Sequence, residues 1–418
     1  MVNEIMSSDF IRQHLSDDTR TLALQASRYP DVDMPYALSQ IQGWQAARHK
    51  LPTWAATEGI IYPQRLSMEQ CSSEPTARYK ATILPADAPR DTITDLTGGF
   101  GVDAAILARD YRNLTFVETN PQLCQLASHN LPLLGINHAQ IINDDATHII
   151  TSLPHQDLIY LDPARRDDYG RKMVEISHCT PDLTILQDSL LERCHHLLVK
   201  LSPMLDIHHI LHTLHHIHSL HVVSLHGECK EIIVHMSLNN PPQSPLIYAV
   251  NIKQTGLEIV KSTYPHAQEP TGDSHPDPTS VLFLPQSPYN SSNSLNSFDY
   301  YLYEPNASIM KAQLFDQVSE QFHVHQLHPN THLFLSRHFV DTFPGRIFRI
   351  THIYTLGKQD TAQLRALHKA NIAVRNFPMT VAQLRTRLHL ADGGDTYLFA
   401  VTAAPDDRRL ILQCEKAN

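Results

Sequence analysis

Two stretches constrain this chain more than any others: DTITDLTGGFG, residues 91–101, and LIYLDPARRD, residues 158–167. The first reads as a buried strand running into a glycine-rich turn at a helix start, the second as a parallel strand ending in an acidic, proline-bearing loop. Parallel strands covered on both faces appear as near-continuous apolar runs. TITDLT, LTFVET, AQIIND, LIYLD, LLVKLS, VVSLH and EIIVHMS are seven such runs. AAILARDY, PQLCQLASHNLPLL, DATHIITSL, DLTILQDSLLERCHH and LDIHHILHTLHHIH read as the helices between them, and HGECK as the turn of a closing hairpin. The expected fold class is therefore α/β, with a seven-stranded sheet between residues 81 and 240.

The flanks differ in pattern. Residues 1–80 carry apolar positions at three- and four-residue intervals, broken by Pro30, Pro35, Pro52 and Pro63, and predict an N-terminal helical domain. In SSEPTARYKA the serines suit a helix cap, Pro75 the first turn and Glu74 the N-terminal dipole. Past Asn239 come Pro-, Ser- and Asn-rich runs such as NNPPQSP, PHAQEPTGDSHPDPTS and PQSPYNSSNSLNS, which are turn chemistry. Among them IYAVNIK and HLFLSRHF read as strands and EPNASIMKAQLFDQVSEQF as a helix, so 241–340 is expected to hold a connector and a small β-containing module, with a ferredoxin-like one as a candidate. Residues 341–418 alternate strand and helix in a separate α+β domain that closes on two strands joined at Pro405-Asp406-Asp407.

Composition excludes several classes. A chain of 418 residues with 42% hydrophobic and 18% charged residues has the balance of a globular protein of two to four domains. No run of eighteen apolar residues occurs, and MVNEIMSSDFIRQHL lacks the order of a signal peptide, so a cytoplasmic protein without a membrane partner is expected. Cys71, Cys124, Cys179, Cys194, Cys229 and Cys414 show neither zinc nor disulfide spacing. A formal charge of −10 argues against gripping nucleic acid by bulk electrostatics and leaves room only for a local basic surface. His208, His212 and His215 would share a helical face, but with no carboxylate or Cys beside them and 28 histidines scattered through the chain, no metal site is expected.

The chemistry gathers at strand ends. Asp95 ends the first strand, and Gly98, Gly99 and Gly101 follow it where a backbone must approach a ligand without β-carbons in the way. This spacing is not the Gly-x-Gly-x-x-Gly of a dinucleotide site, and a carboxylate there would repel a pyrophosphate while accepting a hydrogen bond from an ammonium group. Glu118, about twenty residues on at the second strand's end, suits the two hydroxyls of a ribose. Asp145 could bond an adenine amino group, with Ala146 leaving room for the ring, although Asp at this place also caps helices.

These motifs resemble the class I S-adenosylmethionine-dependent methyltransferases, and the whole chain resembles the bacterial group that adds a C-terminal THUMP-like domain, here NFPMTVAQLRTRLHLADGGDTYLFAVT. The resemblance implies a Rossmann-like methyltransferase sheet, with Asp95 and the Gly98–Gly101 turn on the methionine part of S-adenosylmethionine, Glu118 on the ribose, Asp145 and Ala146 at the adenine, and Thr97 and Thr119 as further cofactor-binding residues. Family members that methylate exocyclic amines carry Asp/Asn-Pro-Pro-aromatic after the fourth strand; this chain keeps Asp162 and Pro163 but has Ala164 and Arg165 next. Asp162, Pro163 and Arg165 are thus the candidate catalytic residues, and Arg166, Tyr169 and Lys200 the candidate substrate-binding ones. No Cys adjoins DPARR, and Cys179 and Cys194 are expected in helical surroundings, which disfavours thiolate-dependent carbon methylation. RNA is the expected acceptor, with a base nitrogen as candidate atom. A protein or small-molecule acceptor, or a non-catalytic cofactor- or RNA-binding protein, are the alternatives.

Overall fold

The computed structural model describes residues 2–165, 175–264 and 300–417. Two compact units divide the chain, Met1–His221 with Glu231–Pro245, and Val222–Lys230 with Leu246–Asn418.

The first unit opens with six helices: α1 (Val2–His14), α2 (Thr19–Leu24), α3 (Met34–Lys50), α4 (Pro52–Ala56), α5 (Arg65–Gln70) and α6 (Glu74–Lys80). Asp18, Asp33 and Ser73 cap α2, α3 and α6 through their side chains, each satisfying a helix N–H that has no intrahelical acceptor. Phe10, Leu22, Met34, Ala37 and Ile41 form the helices' own apolar cluster. Glu74 does more than face a helix dipole. It is buried, accepts from the Thr53 backbone N–H at 2.9 Å, and is paired with Arg78.

The sheet follows, with β1 (Thr92–Asp95), β2 (Asn113–Val117), β3 (Ala139–Ile142), β4 (Gln156–Leu161), β5 (Cys194–Leu201), and the hairpin β6 (Ile217–Leu225) and β7 (Glu228–Met236). β1 pairs in parallel with β2 and β4, β2 with β3, and β4 with β5, whereas β7 runs antiparallel to β5. The order is β3-β2-β1-β4-β5-β7-β6. Helices α7 (Val102–Leu107), α8 (Pro121–Leu133), α9 (Ala146–Ser152), α10 (Leu183–Leu191) and α11 (Ile207–Thr213) connect the strands. All seven expected strands are present. Because β1, β2 and β3 are parallel neighbours, Asp95, Glu118 and Asp145 come to the same carboxyl edge.

Two expectations are corrected here. The helix predicted through His218 stops at Thr213, His216 takes a left-handed conformation and β6 starts at Ile217, so His215 leaves the face shared by His208 and His212. No group of three or more His, Cys, Asp or Glu among the described residues is arranged to hold a metal ion. The strand count also grows, because the hairpin's far end, residues 222–230, lies in the second unit, where β8 (Leu246–Lys253) and β9 (Gly256–Thr263) add to it and carry the hydrogen-bonded order to nine. Ser224 Oγ, 2.9 Å from Asn251 Oδ1, ties that end to β8.

The second unit has a sheet of its own: β10 (Tyr301–Pro305), β11 (Phe334–Ser336), β12 (Gly345–Tyr354), β13 (Asn371–Arg375), β14 (Thr396–Ala403) and β15 (Arg408–Lys416), with the short strand His325–Gln326 at one edge. Leu302, Phe348, Phe399 and Leu412 pack in one cluster; Leu398 and Ile411 pack in another with Leu364 of α14 (Lys358–Arg365) and Leu384 and Leu388 of α15 (Val381–Leu388). The single helix expected over EPNASIMKAQLFDQVSEQF is two, α12 (Ala307–Ala312) and α13 (Phe315–Phe322), parted where Gln313 turns left-handed at φ +56°. The Pro- and Ser-rich runs of 265–299 lie outside the described residues, and no described helix is long and apolar enough to cross a membrane.

Asn130 in α8 holds the segment before α5 by a two-way amide contact, accepting from Ile61 N–H at 3.0 Å and donating to Ile61 O at 2.8 Å. Asn130→Ala strands both backbone groups and is expected to cost about 2 kcal/mol, read as a lowered urea midpoint.

Candidate functional site

The glycine turn is built against β2. Gly98 N–H donates to Val117 O at 2.9 Å, and a β-carbon on Gly98 would lie 2.2 Å from Phe116 Cζ, so only glycine fits while that ring stays in place. Gly99 and Gly101 hold φ of +55° and +84°, a region that costs residues with a β-carbon energy. Gly101 then opens α7, whose first turn carries Asp103.

Asp95 is enclosed at the foot of this turn, 1% exposed. Its Oδ1 accepts from Thr97 N–H at 2.9 Å, while the buried Oδ2 has no partner. Burial pushes its carboxyl up to about 8, the Thr97 N–H opposing and the neighbouring Asp103, Asp162 and Glu118 carboxylates adding to the rise. Glu118, half-buried, grips the turn: Oε2 accepts from Gly99 N–H at 2.8 Å and Oε1 from Asn120 N–H at 2.7 Å. Thr119, exposed, donates its hydroxyl to the same Oε1 at 3.2 Å. Asp145 caps α9, its Oδ1 accepting from the Thr147 hydroxyl at 2.6 Å and N–H at 2.8 Å, bonds that hold its carboxyl below the usual range. Ala146 is buried beside it.

At the end of β4, Asp162 N–H donates to Thr97 Oγ1 at 2.7 Å, which fastens the acidic loop to the glycine turn. The Asp162 carboxylate is paired through Oδ2 with the ammonium of Lys200, from β5. Burial opposes the charge on Lys200, but Asp162, Asp103 and Glu231 together outweigh it and raise its pKa. Pro163 is buried, and Ala164–Arg165 pairs antiparallel with Cys179–Thr180, which corrects the expectation for the cysteines: Cys179 stands opposite Arg165 and Cys194 opens β5, neither in a helix. The Arg165 side chain and all of Arg166 and Tyr169 lie outside the described residues.

Reading the sequence missed the layer beneath. Lys80, fully buried, donates to both oxygens of Glu231 at 2.8 and 2.9 Å and to Ser72 Oγ at 3.0 Å, and lies 3.1 Å from Asp103 Oδ1. Asp103 Oδ2 accepts from Ser72 Oγ at 2.7 Å and from the buried Tyr160 hydroxyl at 2.9 Å. Burial would raise Asp103, yet Lys80 and Lys200 hold it low. A faint mark of this layer is legible: EIIVHMS places Glu231 in a run otherwise fit for burial, where an unpaired acid would be costly.

Residues 301–344 match a ferredoxin-like domain model and residues 345–416 a THUMP domain-like model. A crystal structure of a proposed methyltransferase from Porphyromonas gingivalis W83 superposes with a TM-score of 0.80 at 31% identity, covering 100% of each chain. This chain belongs to that family, class I methyltransferases with a C-terminal THUMP-like domain. An rRNA methylase from Streptococcus thermophilus (TM-score 0.28, 14% identity, 39% of this chain and 93% of that one) and a proposed methyltransferase, yhhF, from Escherichia coli (TM-score 0.26, 17% identity, 36% and 78%) superpose too little to bear on mechanism. No curated protein matches.

Gly98→Ala is expected to cost about 1–3 kcal/mol through the forced shift of Phe116, seen as a lower thermal midpoint. Phe116→Leu in the same chain should return part of that loss; a strictly additive pair would mean that the ring is not what excludes the β-carbon.

Proposed function

We propose that this protein transfers the methyl group of S-adenosylmethionine to RNA, with a base nitrogen as the accepting atom. The observation that carries the cofactor is Asp95 Oδ2, buried without a partner beside a turn whose backbone carries no β-carbon at Gly98, Gly99 or Gly101. An ammonium group is the natural complement of such an oxygen. In this reading Asp95, Thr97 and the turn hold the methionine part, Glu118 and Thr119 the ribose, and Asp145 with Ala146 the adenine. Glu118 and Asp145 already serve local backbone bonds, which fixes their carboxylates in place before any ligand arrives.

S-adenosylmethionine supplies an electrophilic methyl group on a sulfonium. The residues at the loop then have two tasks, alignment and proton acceptance, and alignment alone can contribute much of the rate. Lys200 occupies Asp162 Oδ2, so Oδ1 is the oxygen assigned to accept an N–H from the acceptor base. Pro163 stiffens the loop at that point. Arg165, Arg166 and Tyr169 are assigned to the acceptor, as groups able to stack on a base or fork onto a phosphate.

RNA as acceptor rests on the resemblance of 345–416 to THUMP domains, whose better-known members engage RNA, and on charge. That stretch carries eleven Lys and Arg against six Asp and Glu, a formal +5, on a chain totalling −10. Local basic surface of this kind supplies phosphate attraction that the whole chain lacks.

Calorimetry tests the cofactor and its pH dependence. With Asp95 at about 8 in the free protein, the carboxyl is mostly protonated at pH 6, and ionising it for an ammonium costs affinity. Binding should therefore tighten from pH 6 to 8, by up to about 50-fold, and Glu118→Ala should weaken it. Asp95→Asn should flatten that profile and also raise the thermal midpoint at pH 8: a carboxyl with a raised folded pKa contributes most below its unfolded value of about 4 and loses that contribution as pH climbs through 8. Asp162→Ala should abolish transfer and spare cofactor affinity. Labelled cofactor incubated with total RNA, total protein or metabolite extract identifies the acceptor; label in protein alone would overturn the RNA assignment.

A further inference from the structure

The buried charges beneath the site connect parts of the first unit that lie far apart in sequence. Lys80 closes α6, the last of the N-terminal helices; Asp103 stands in the first turn of α7, directly after the glycine turn; Glu231 lies on β7. Tyr160, bonded to Asp103, sits on β4 two positions before Asp162, and Lys200 on β5 is paired with Asp162. Lys200 also feels Asp103 and Glu231, and each of those acids feels both lysines. Three carboxylates thus share two ammonium groups, and one of the three belongs to the acceptor loop.

From this geometry we infer that Lys80 is a positioning residue of the transfer site: by balancing Asp103 and Glu231 it leaves Lys200 free to hold Asp162 in place. The inference rests on the role proposed for Asp162. Without Lys80, two buried acids would lack their nearest cation, and among the described residues the other ammonium of the cluster is the one on Asp162. Drawing it inward releases the acidic loop. The N-terminal helices then belong to the catalytic apparatus through one side chain, although Lys80 touches neither cofactor nor acceptor.

The test uses the full chain. Lys80→Met removes the cation at nearly constant length, and Lys80→Met with Glu231→Gln removes one acid with it. In the single variant kcat should fall 10- to 100-fold while cofactor affinity stays within about threefold, and its crystal structure should show Lys200 Nζ bonded to Asp103 or Glu231 instead of Asp162. The charge-balanced pair should recover kcat to within about threefold of wild type, with Lys200 back on Asp162. A single variant with wild-type kcat overturns the inference, as does a pair with a wild-type thermal midpoint that remains tenfold slow. If the single variant fails to fold, the pair decides by the same criterion. Failure of the wild type itself to transfer a methyl group would overturn the reading of the site, and is seen before any variant is made.

Discussion

Enclosing carboxylates away from bulk solvent is the constraint on which the first unit turns. Asp95, Asp103 and Glu231 are all buried, and Asp162 lies at their edge; among the described residues the cations paired with this group are Lys80 and Lys200. An ion pair in such surroundings contributes little net stability, because desolvation offsets most of the attraction, but removing one partner is severe. What the cluster contributes is arrangement. Its members come from α6, α7, β1, β5, β7 and the loop after β4, so satisfying them at once fixes the relation between the glycine turn and the acidic loop. Asp95 is the member left over. With no cation of its own, it rises to about 8 and keeps an oxygen without a donor, a local conflict of the kind that marks functional sites.

The turn and the loop are coupled by short links as well as by charge. Thr97 offers its N–H to Asp95 and its hydroxyl oxygen to the Asp162 N–H, so one residue spans the two motifs. Glu118 reaches back from β2 to the Gly99 N–H, and Phe116, on the same strand, fills the space a side chain at Gly98 would need. The acids read as cofactor ligands therefore also hold the backbone that presents them. Preorganisation of that sort reduces what a ligand must spend on ordering the site.

The second unit is organised differently. Its sheet is stabilised by aromatic and aliphatic clusters around Phe348 and Phe399, and its buried charge is local: Glu304 takes Arg346 and Arg375 from two other strands. The positive excess of 345–416 sits on this scaffold. A chain acidic overall can thus still offer one basic stretch to a polyanion.

The sequence by itself determined the seven strands of the first sheet, the glycine turn, the acids at successive strand ends and the α/β alternation of 341–418, because each is written in local periodicity or turn chemistry. β9 and β10 escaped that reading, as GLEIVKST and YLYEP are short runs beside Pro- and Ser-rich segments that blur the pattern. The break at Gln313 and the early end of α11 escaped it too, since left-handed Gln313 and His216 carry no glycine to announce them. Tertiary structure alone decided which charges meet. Lys80 and Glu231 are 151 positions apart, Lys200 and Asp162 are 38, and no propensity or spacing couples such pairs. They are joined because a parallel sheet gathers the ends of its strands, and a buried acid must find its cation there or remain, like Asp95, in want of one.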